Sequence, residues 1–181
     1  LYKILIIHNF TANLKKDMKI TLLGTGTSQG VPVIACKCEV CLSSNPKDNR
    51  LRSSVMIEVD NINLVIDTGP DFRQQMLREK VEKVDAILFT HHHKDHVAGM
   101  DDIRAFNYRW KKDMQLYCTK PTQEALKREF PYVFSDFKYP GIPEVKINTI
   151  KSIFNYRSRL FLIFLITKFL SNSSKNTLSC S

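Results

Sequence analysis

The segment Thr90-His91-His92-His93-Lys94-Asp95-His96 constrains what this chain can fold into more than any other feature. It follows a largely apolar run at residues 84–89, interrupted only by Asp85, which predicts a strand buried on both faces. Read as H-x-H-x-D-H, the segment places three imidazoles and one carboxylate in a single turn, a donor set that suits zinc, manganese or iron. A chance histidine tract or an exposed polar loop does not account for an aspartate at this offset behind a buried strand. The segment therefore predicts a metal site.

The spacing of the four donors predicts two ions rather than one. Alternate residues His91 and His93 can converge on one ion, while Asp95 and His96 turn toward a second. Two ions about 3.5–4 Å apart can share a hydroxide and hold a phosphoryl group in line for displacement. We therefore expect a metal-dependent hydrolase.

Asp67 ends a predicted strand at residues 62–66 and is followed by Thr68 and Gly69. Taken alone, an aspartate here is typical of a turn that its own side chain stabilises. Beside the histidine motif, we interpret it as a catalytic-site carboxylate that lies in or next to the metal site and orients a histidine.

A second cluster of donors is formed by Cys36, Cys38 and Cys41, which can place three thiolates on one tetrahedral ion. Two alternatives remain open, thiols without metal and a redox pair of Cys38 and Cys41, although no helix clearly follows to lower a thiol pKa. Cys118, in an apolar run, is predicted to pack in the core. The chain has five cysteines, an odd number, and three of them are clustered; without a signal peptide, this argues against a secreted disulfide scaffold and for the cytoplasm.

The order of predicted elements indicates an α/β layered domain. Strands are predicted at residues 18–23, 54–59, 62–66, 84–89, 115–118 and 144–150, and helices at 71–81, within 97–110 and at 121–130. Asp60 and Asn61 between two of the strands are a hairpin signal.

The net charge of +9 lies mainly at the two ends of the chain. Residues 151–181 contribute +5 and contain no Gly, Pro or acidic residue, and residues 1–17 contribute +2. The remaining +2 over residues 18–150 disfavours a nucleic-acid partner. The apolar run at residues 160–170 is shorter than the roughly 20 residues of a membrane span. We interpret 1–17 as a non-native or disordered extension and 151–181 as an atypical tail of frameshifted composition.

Asp67 followed by H-x-H-x-D-H is similar to the metallo-β-lactamase superfamily, whose fold is an αβ/βα sandwich, often with two catalytic metals. Within it, residues 18–32 and the cysteine motif resemble the phosphoribosyl 1,2-cyclic phosphate phosphodiesterases. The resemblance covers about residues 18–150, the first (N-terminal) half of the sandwich. It implies two divalent ions, zinc or manganese, and hydrolysis of a small phosphodiester, including cyclic ones, by a metal-bound hydroxide. It also implies a structural zinc at the three cysteines, closed by a later histidine.

The sequence departs from this superfamily after His96, the last of its five histidines. The superfamily's later histidines and bridging aspartate have no counterpart, so we expect this chain to be incomplete and nearly inactive alone. One alternative is a transfer-RNA 3′-processing endonuclease of the same superfamily, which Asp67-Thr68-Gly69 and Gln74-Gln75-Met76 loosely resemble. Another is a non-catalytic zinc-binding fragment. A homodimer is left open.

Overall fold

The computed structural model describes residues 4–7, 18–150, 155–156 and 159–160. The predicted α/β class is confirmed: one sheet of seven strands carries helices in the connections between its later strands. The strands are β1 Ile4–Ile7, β2 Met18–Gly24, β3 Ser54–Val59, β4 Ile62–Ile66, β5 Ala86–Leu88, β6 Met114–Cys118 and β7 Val145–Thr149.

Strand order in the sheet follows the order of the sequence, and the direction of pairing changes once. Strands β1 to β4 are antiparallel, whereas β4 to β7 run parallel to one another. Parallel neighbours need a crossover connection, and each connection here contains helix. The carboxyl ends of β4 to β7 consequently meet at one edge of the sheet.

The turn between β3 and β4 forms where the sequence predicts a hairpin. Asp60 and Asn61 both have positive φ, 51° and 61°, as a two-residue turn of the primed type requires. Strands β3 and β4 have the predicted bounds, and Val59 pairs with Ile62 directly beside the turn.

Five helices occur in the described chain: α1 Phe72–Arg78, α2 Lys94–Val97, α3 Arg104–Trp110, α4 Lys120–Glu129 and α5 Pro131–Phe134. Phe72, Phe106 and Leu126 contribute their side chains to one core cluster that also contains Val65 and Ile87 of the sheet. The helices therefore cover one face of the sheet, as in one half of a layered sandwich.

The opposite face of the sheet has its own apolar cluster, centred on Ile57, Leu64, Ile66 and Leu88. Among the described residues, this second cluster contains no helical side chain. Side chains alternate between faces along a strand, so Val65 joins the helical side while Leu64 and Ile66 join the other.

Several predicted elements are shorter or shifted in the structure. The helix predicted at 71–81 is α1, which ends at Arg78, and the strand predicted at 84–89 is reduced to β5. The helix predicted within 97–110 is a 3₁₀ turn, Met100–Ile103, followed by α3. Helix α2, which lies mostly within the histidine motif, was not predicted from the sequence.

The origin assigned to the two ends of the chain remains a prediction. Within residues 1–17 and 151–181 the structure describes only β1 and a two-stranded pair, β8 Asn155–Tyr156 with β9 Arg159–Leu160. Across the described ranges, no helix combines the length and the apolar character that crossing a bilayer demands.

Candidate metal centre

The predicted site lies at the carboxyl ends of β4 and β5, which are neighbours in the parallel part of the sheet. Asp67 is the first residue after β4, and the histidine motif begins shortly after β5. Open parallel sheets place their functional residues at this edge because the loops from adjacent strands meet there.

Asp67 is buried, with 1% of its surface exposed, and its backbone is in the left-handed region with φ 62°. Its amide donates to the Leu88 carbonyl at 2.9 Å, and its own carbonyl accepts from the Ser54 hydroxyl at 2.9 Å. Both backbone groups are therefore bonded to other strands, which holds the residue in this uncommon conformation.

The Asp67 carboxylate accepts three hydrogen bonds from the histidine loop. Oδ1 accepts from the Thr90 amide at 2.8 Å, while Oδ2 accepts from the Thr90 hydroxyl at 2.7 Å and from His96 Nδ1 at 2.7 Å. A carboxylate offers no donor, so His96 must carry its proton on Nδ1. This pattern favours the orienting role predicted for Asp67 over a local turn, since its partners lie more than 20 residues away.

The structure places the rings of the three predicted ligand histidines near one another, although no three ligand atoms of His91, His93, Asp95 and His96 all lie within 4.8 Å of one another. The ring centroids of His91 and His93 are 4.6 Å apart, and those of His91 and His96 are 4.0 Å apart. With Nδ1 of His96 bonded to Asp67, its Nε2 lies 3.2 Å from Asp95 Oδ2. The second predicted pair, Asp95 and His96, thus presents two donor atoms side by side.

The other two residues of the motif behave differently from the predicted ligands. Lys94 Nζ forms an ion pair with Glu129 Oε2 at 2.6 Å and lies 5.0 Å from the Phe130 ring centroid. The ring of His92 contacts that of His93, with centroids 5.4 Å apart. Lys94 is therefore directed to helix α4 and its C-terminal end.

Two glycines allow the loops after β4 and β5 to touch. A Cβ on Gly69 would lie 2.1 Å from the Asp95 carbonyl oxygen, and one on Gly99 would lie 2.3 Å from the Gly69 carbonyl oxygen. The same loops are joined by bonds from the Thr68 amide to the His96 carbonyl and from the Gly99 amide to the Thr68 carbonyl, both 2.8 Å. A side chain at either glycine would therefore force the two loops apart.

Burial and charge move the pKa values of two histidines in opposite directions. Burial and the neighbouring His96 lower the pKa of His91. Burial also lowers the pKa of His96, but its hydrogen bond to Asp67 and the charges of Asp67 and Asp95 outweigh that effect, so its pKa is raised. The surroundings thus disfavour the protonated form of His91 and favour the protonated form of His96 in the metal-free protein.

The three clustered cysteines converge in the structure. The Sγ atoms of Cys36, Cys38 and Cys41 all lie within 4.8 Å of one another, and the three residues are half-buried. Among the described residues this is the one set of three or more candidate ligands that meets this distance limit. The loop is closed by bonds from the Val33 amide to Cys41 Sγ at 3.4 Å and from the Leu42 amide to the Cys38 carbonyl at 3.0 Å.

Cys118 is separate from this cluster and lies fully buried in β6. Burial raises the pKa of its thiol to about 11, which keeps it protonated and unreactive. The predicted packing role of Cys118 agrees with this position.

The sequence reading missed two residues that hold the site together. Thr90 connects Asp67 to His91, since its hydroxyl also lies 3.0 Å from His91 Nδ1. Arg52 ties the loop around Ser28 to the start of α1, donating to the Ser28 carbonyl at 2.8 Å and to both oxygens of Asp71. The position of Thr90 directly before His91 is the sequence feature that could have indicated its role. No local sequence feature indicates that Arg52 pairs with Asp71.

Comparison with known proteins decides the family. A family model described as the beta-lactamase superfamily domain matches residues 62–175. The chain belongs to the metallo-β-lactamase superfamily. The superfamily resemblance predicted from Asp67 and the histidine motif is thereby confirmed, as is the hydrolase fold class.

Three individual proteins are informative. The crystal structure of a new diphosphatase from the PhnP family is similar to this chain, with a TM-score of 0.70 and 40% identity, covering 78% of this chain and 54% of that one. The octanoyltransferase of Porphyromonas gingivalis is 40% identical over 135 residues, 74% of this chain and 27% of that protein. The ribonuclease Z of Methanopyrus kandleri is 37% identical over 57 residues, 30% of this chain and 20% of that protein.

This chain of the metallo-β-lactamase superfamily therefore spans about half of the diphosphatase and about a quarter of the octanoyltransferase. Because the alignment with the octanoyltransferase involves so small a share of it, that protein's activity does not transfer to this chain. The family model and the diphosphatase structure agree in showing a metallo-β-lactamase hydrolase fold.

The opposite pKa shifts can be checked by NMR titration of the metal-free protein in chelator. We expect His96 to titrate above 6.5 and His91 below 6.5. Asp67→Asn removes the negative charge at similar size and should lower the pKa of His96. Asp101→Asn, which removes a carboxylate bonded to Tyr132 instead, is the matched control and should leave His96 unchanged. An unchanged His96 pKa in Asp67→Asn would contradict the assigned contact.

Proposed function

We propose that this chain carries the metal-binding half of a hydrolase that cleaves a small phosphodiester, including cyclic ones. The observation that carries the proposal is the Asp67 carboxylate, which bonds His96 Nδ1 and so leaves Nε2 beside Asp95 Oδ2. Histidines that bind metal commonly donate their second ring N–H to a carboxylate in this way.

The donor set fits two divalent ions, zinc or manganese. In this proposal His91 and His93 hold one ion, and Asp95 and His96 hold the other. Imidazole nitrogen and carboxylate oxygen are ligands that both metals accept. When bound, such a pair of ions lowers the pKa of water and stabilises the charge that develops on a phosphoryl group.

Residues around the proposed ligands hold the ligand atoms in position before metal binds. Asp67 sets the orientation of His96, and the contacts that Gly69 and Gly99 permit hold the two loops in register. Lys94 is kept at helix α4 by Glu129, so its positive charge is directed away from the cations. Asp67 and Asp95 are accordingly the carboxylates that we assign to the catalytic site.

The substrate class is supported by the crystal structure of a diphosphatase that shares 40% identity with this chain. Phosphodiesters and diphosphates both present negatively charged oxygens on phosphorus, the group that paired divalent cations stabilise. Diphosphate linkages therefore belong in any substrate screen beside phosphodiesters.

Each ion receives two ligands from this chain in the proposal, whereas catalytic zinc sites typically use three protein ligands. His96 is the last histidine of the sequence. We therefore expect weak metal binding and slow turnover for these 181 residues by themselves.

A second candidate is a transfer-RNA 3′-processing endonuclease. Its support is the 57-residue similarity to ribonuclease Z. The converging thiols of Cys36, Cys38 and Cys41 count against it in our reading, because the branch that the cysteine motif resembles is the phosphodiesterase one. A zinc-binding fragment without catalysis is the remaining alternative.

For the cysteine cluster we propose one structural zinc. Three thiolates at mutual distances within 4.8 Å suit a tetrahedral ion that needs one further ligand. A zinc there would fix the loop that precedes β3.

Metal binding at the histidines is tested with Co²⁺, whose visible spectrum reports its ligands. We expect His93→Ala to lower Co²⁺ affinity at the histidine site by at least about tenfold. Removing a residue that only hydrogen-bonds a metal ligand already lowers metal affinity by about that factor. His92→Ala, one residue away, is the matched control and should bind as the unaltered chain does. Equal loss in both variants, or loss in neither, would count against the ligand assignment.

The cysteine site has its own test, in which bound zinc is counted by release into a colorimetric chelator. We expect Cys38→Ser to reduce the zinc content by one ion per chain, because two thiolates hold zinc less tightly than three. Cys118→Ala removes a cysteine outside the cluster and should leave the zinc content unchanged. An unchanged zinc content in Cys38→Ser would refute the structural site.

The substrate class can be tested without requiring turnover. We expect Mn²⁺ bound to the chain to broaden the ³¹P resonance of a phosphodiester, because the paramagnetic ion and the phosphorus would be close. His93→Ala should abolish the broadening and His92→Ala should retain it. A transfer-RNA 3′ end that displaces the phosphodiester would favour the endonuclease, and no broadening by metal-loaded protein would overturn the phosphodiesterase proposal.

A further inference from the structure

We propose that Thr90 is a positioning residue, whose hydroxyl fixes the ring of His91 so that Nε2 is the nitrogen offered to metal. The inference rests on the proposed function, because it assigns a role within the same metal site. Thr90 itself would touch neither metal nor substrate.

The geometry is a short chain of hydrogen bonds between two loops. The Thr90 hydroxyl donates to Asp67 Oδ2 at 2.7 Å, and the same oxygen lies 3.0 Å from His91 Nδ1. The Thr90 amide separately donates to Asp67 Oδ1 at 2.8 Å. Backbone and side chain of Thr90 thus both bond the buried carboxylate.

Counting protons assigns the direction of each bond. A threonine hydroxyl has one hydrogen, and the Asp67 carboxylate can only accept. The hydroxyl hydrogen is therefore directed to Asp67, and the bond to His91 requires the proton to be on Nδ1. Nε2 of His91 then keeps its lone pair, as a metal ligand must.

One carboxylate consequently orients a ligand of each proposed ion. Asp67 reaches His96 directly and reaches His91 through the Thr90 hydroxyl. The hydroxyl is the part of Thr90 that this role needs, since it accepts and donates at once. Valine has the same branched shape without that oxygen, whereas serine retains the oxygen without the methyl group.

The test compares Thr90→Val with Thr90→Ser. The Thr90 amide bond to Asp67 survives in both variants, so Asp67 keeps one of its contacts to the loop. We expect Thr90→Val to lower Co²⁺ affinity at the histidine site about tenfold, the lower end of the effect of removing such indirect partners. Thr90→Ser should remain close to the unaltered protein.

A second readout separates positioning from packing. In ¹⁵N-labelled metal-free protein at alkaline pH, the ring nitrogen shifts of His91 should report a proton on Nδ1. In Thr90→Val we expect them to move toward the form protonated on Nε2, and in Thr90→Ser to stay. A residue needed only for packing would lower the melting temperature without changing the tautomer.

The outcomes distinguish this inference from the proposed function. Weaker metal binding together with a tautomer change, confined to Thr90→Val, supports the positioning role. Equal metal binding and the same tautomer in Thr90→Val and the unaltered chain would overturn it while leaving the metal site intact. Absence of any nitrogen-ligated Co²⁺ in the unaltered chain would overturn the proposed function, and this role with it.

Discussion

The site depends on one buried carboxylate. Asp67 is 1% exposed, and removing a carboxylate from water is costly unless hydrogen bonds compensate. All three bonds to its carboxylate come from Thr90 and His96, residues of the loop that carries the candidate ligands. The hydrogen bonds that compensate the burial of Asp67 are therefore the same bonds that orient the histidine loop.

The sheet allows Asp67 to reach the histidine loop because it places the ends of two strands side by side. Strands β4 and β5 pair in parallel, and their last residues, Ile66 and Leu88, are register partners. Asp67 therefore lies directly beside the end of β5. The Asp67 amide then bonds the Leu88 carbonyl and extends the ladder by one residue. Beyond that point, Gly69 and Gly99 leave the space that the two loops need for direct backbone contact.

The sequence predicts what depends on local pattern and misses what depends on tertiary contact. The apolar alternation and the Asp60-Asn61 turn determine β3 and β4, which appear with the predicted bounds. Strand β5 is shorter than its apolar run because ladder pairing, not hydrophobicity, ends a strand. The proposed ligand set rests on donor chemistry and spacing in the sequence. Thr90 and the Arg52–Asp71 pair became visible only when two distant loops were placed together.

The two candidate metal sites differ in how much of the fold each requires. The three thiols belong to one loop within six residues, so a small part of the chain can gather them. The histidine site instead needs β4 and β5 paired, because Asp67 and His96 are brought together across that ladder. A metal that binds preferentially to the folded arrangement stabilises it. Metal at the proposed histidine site would thus be coupled to formation of the central sheet, whereas zinc at the proposed cysteine site would be coupled mainly to the order of its own loop.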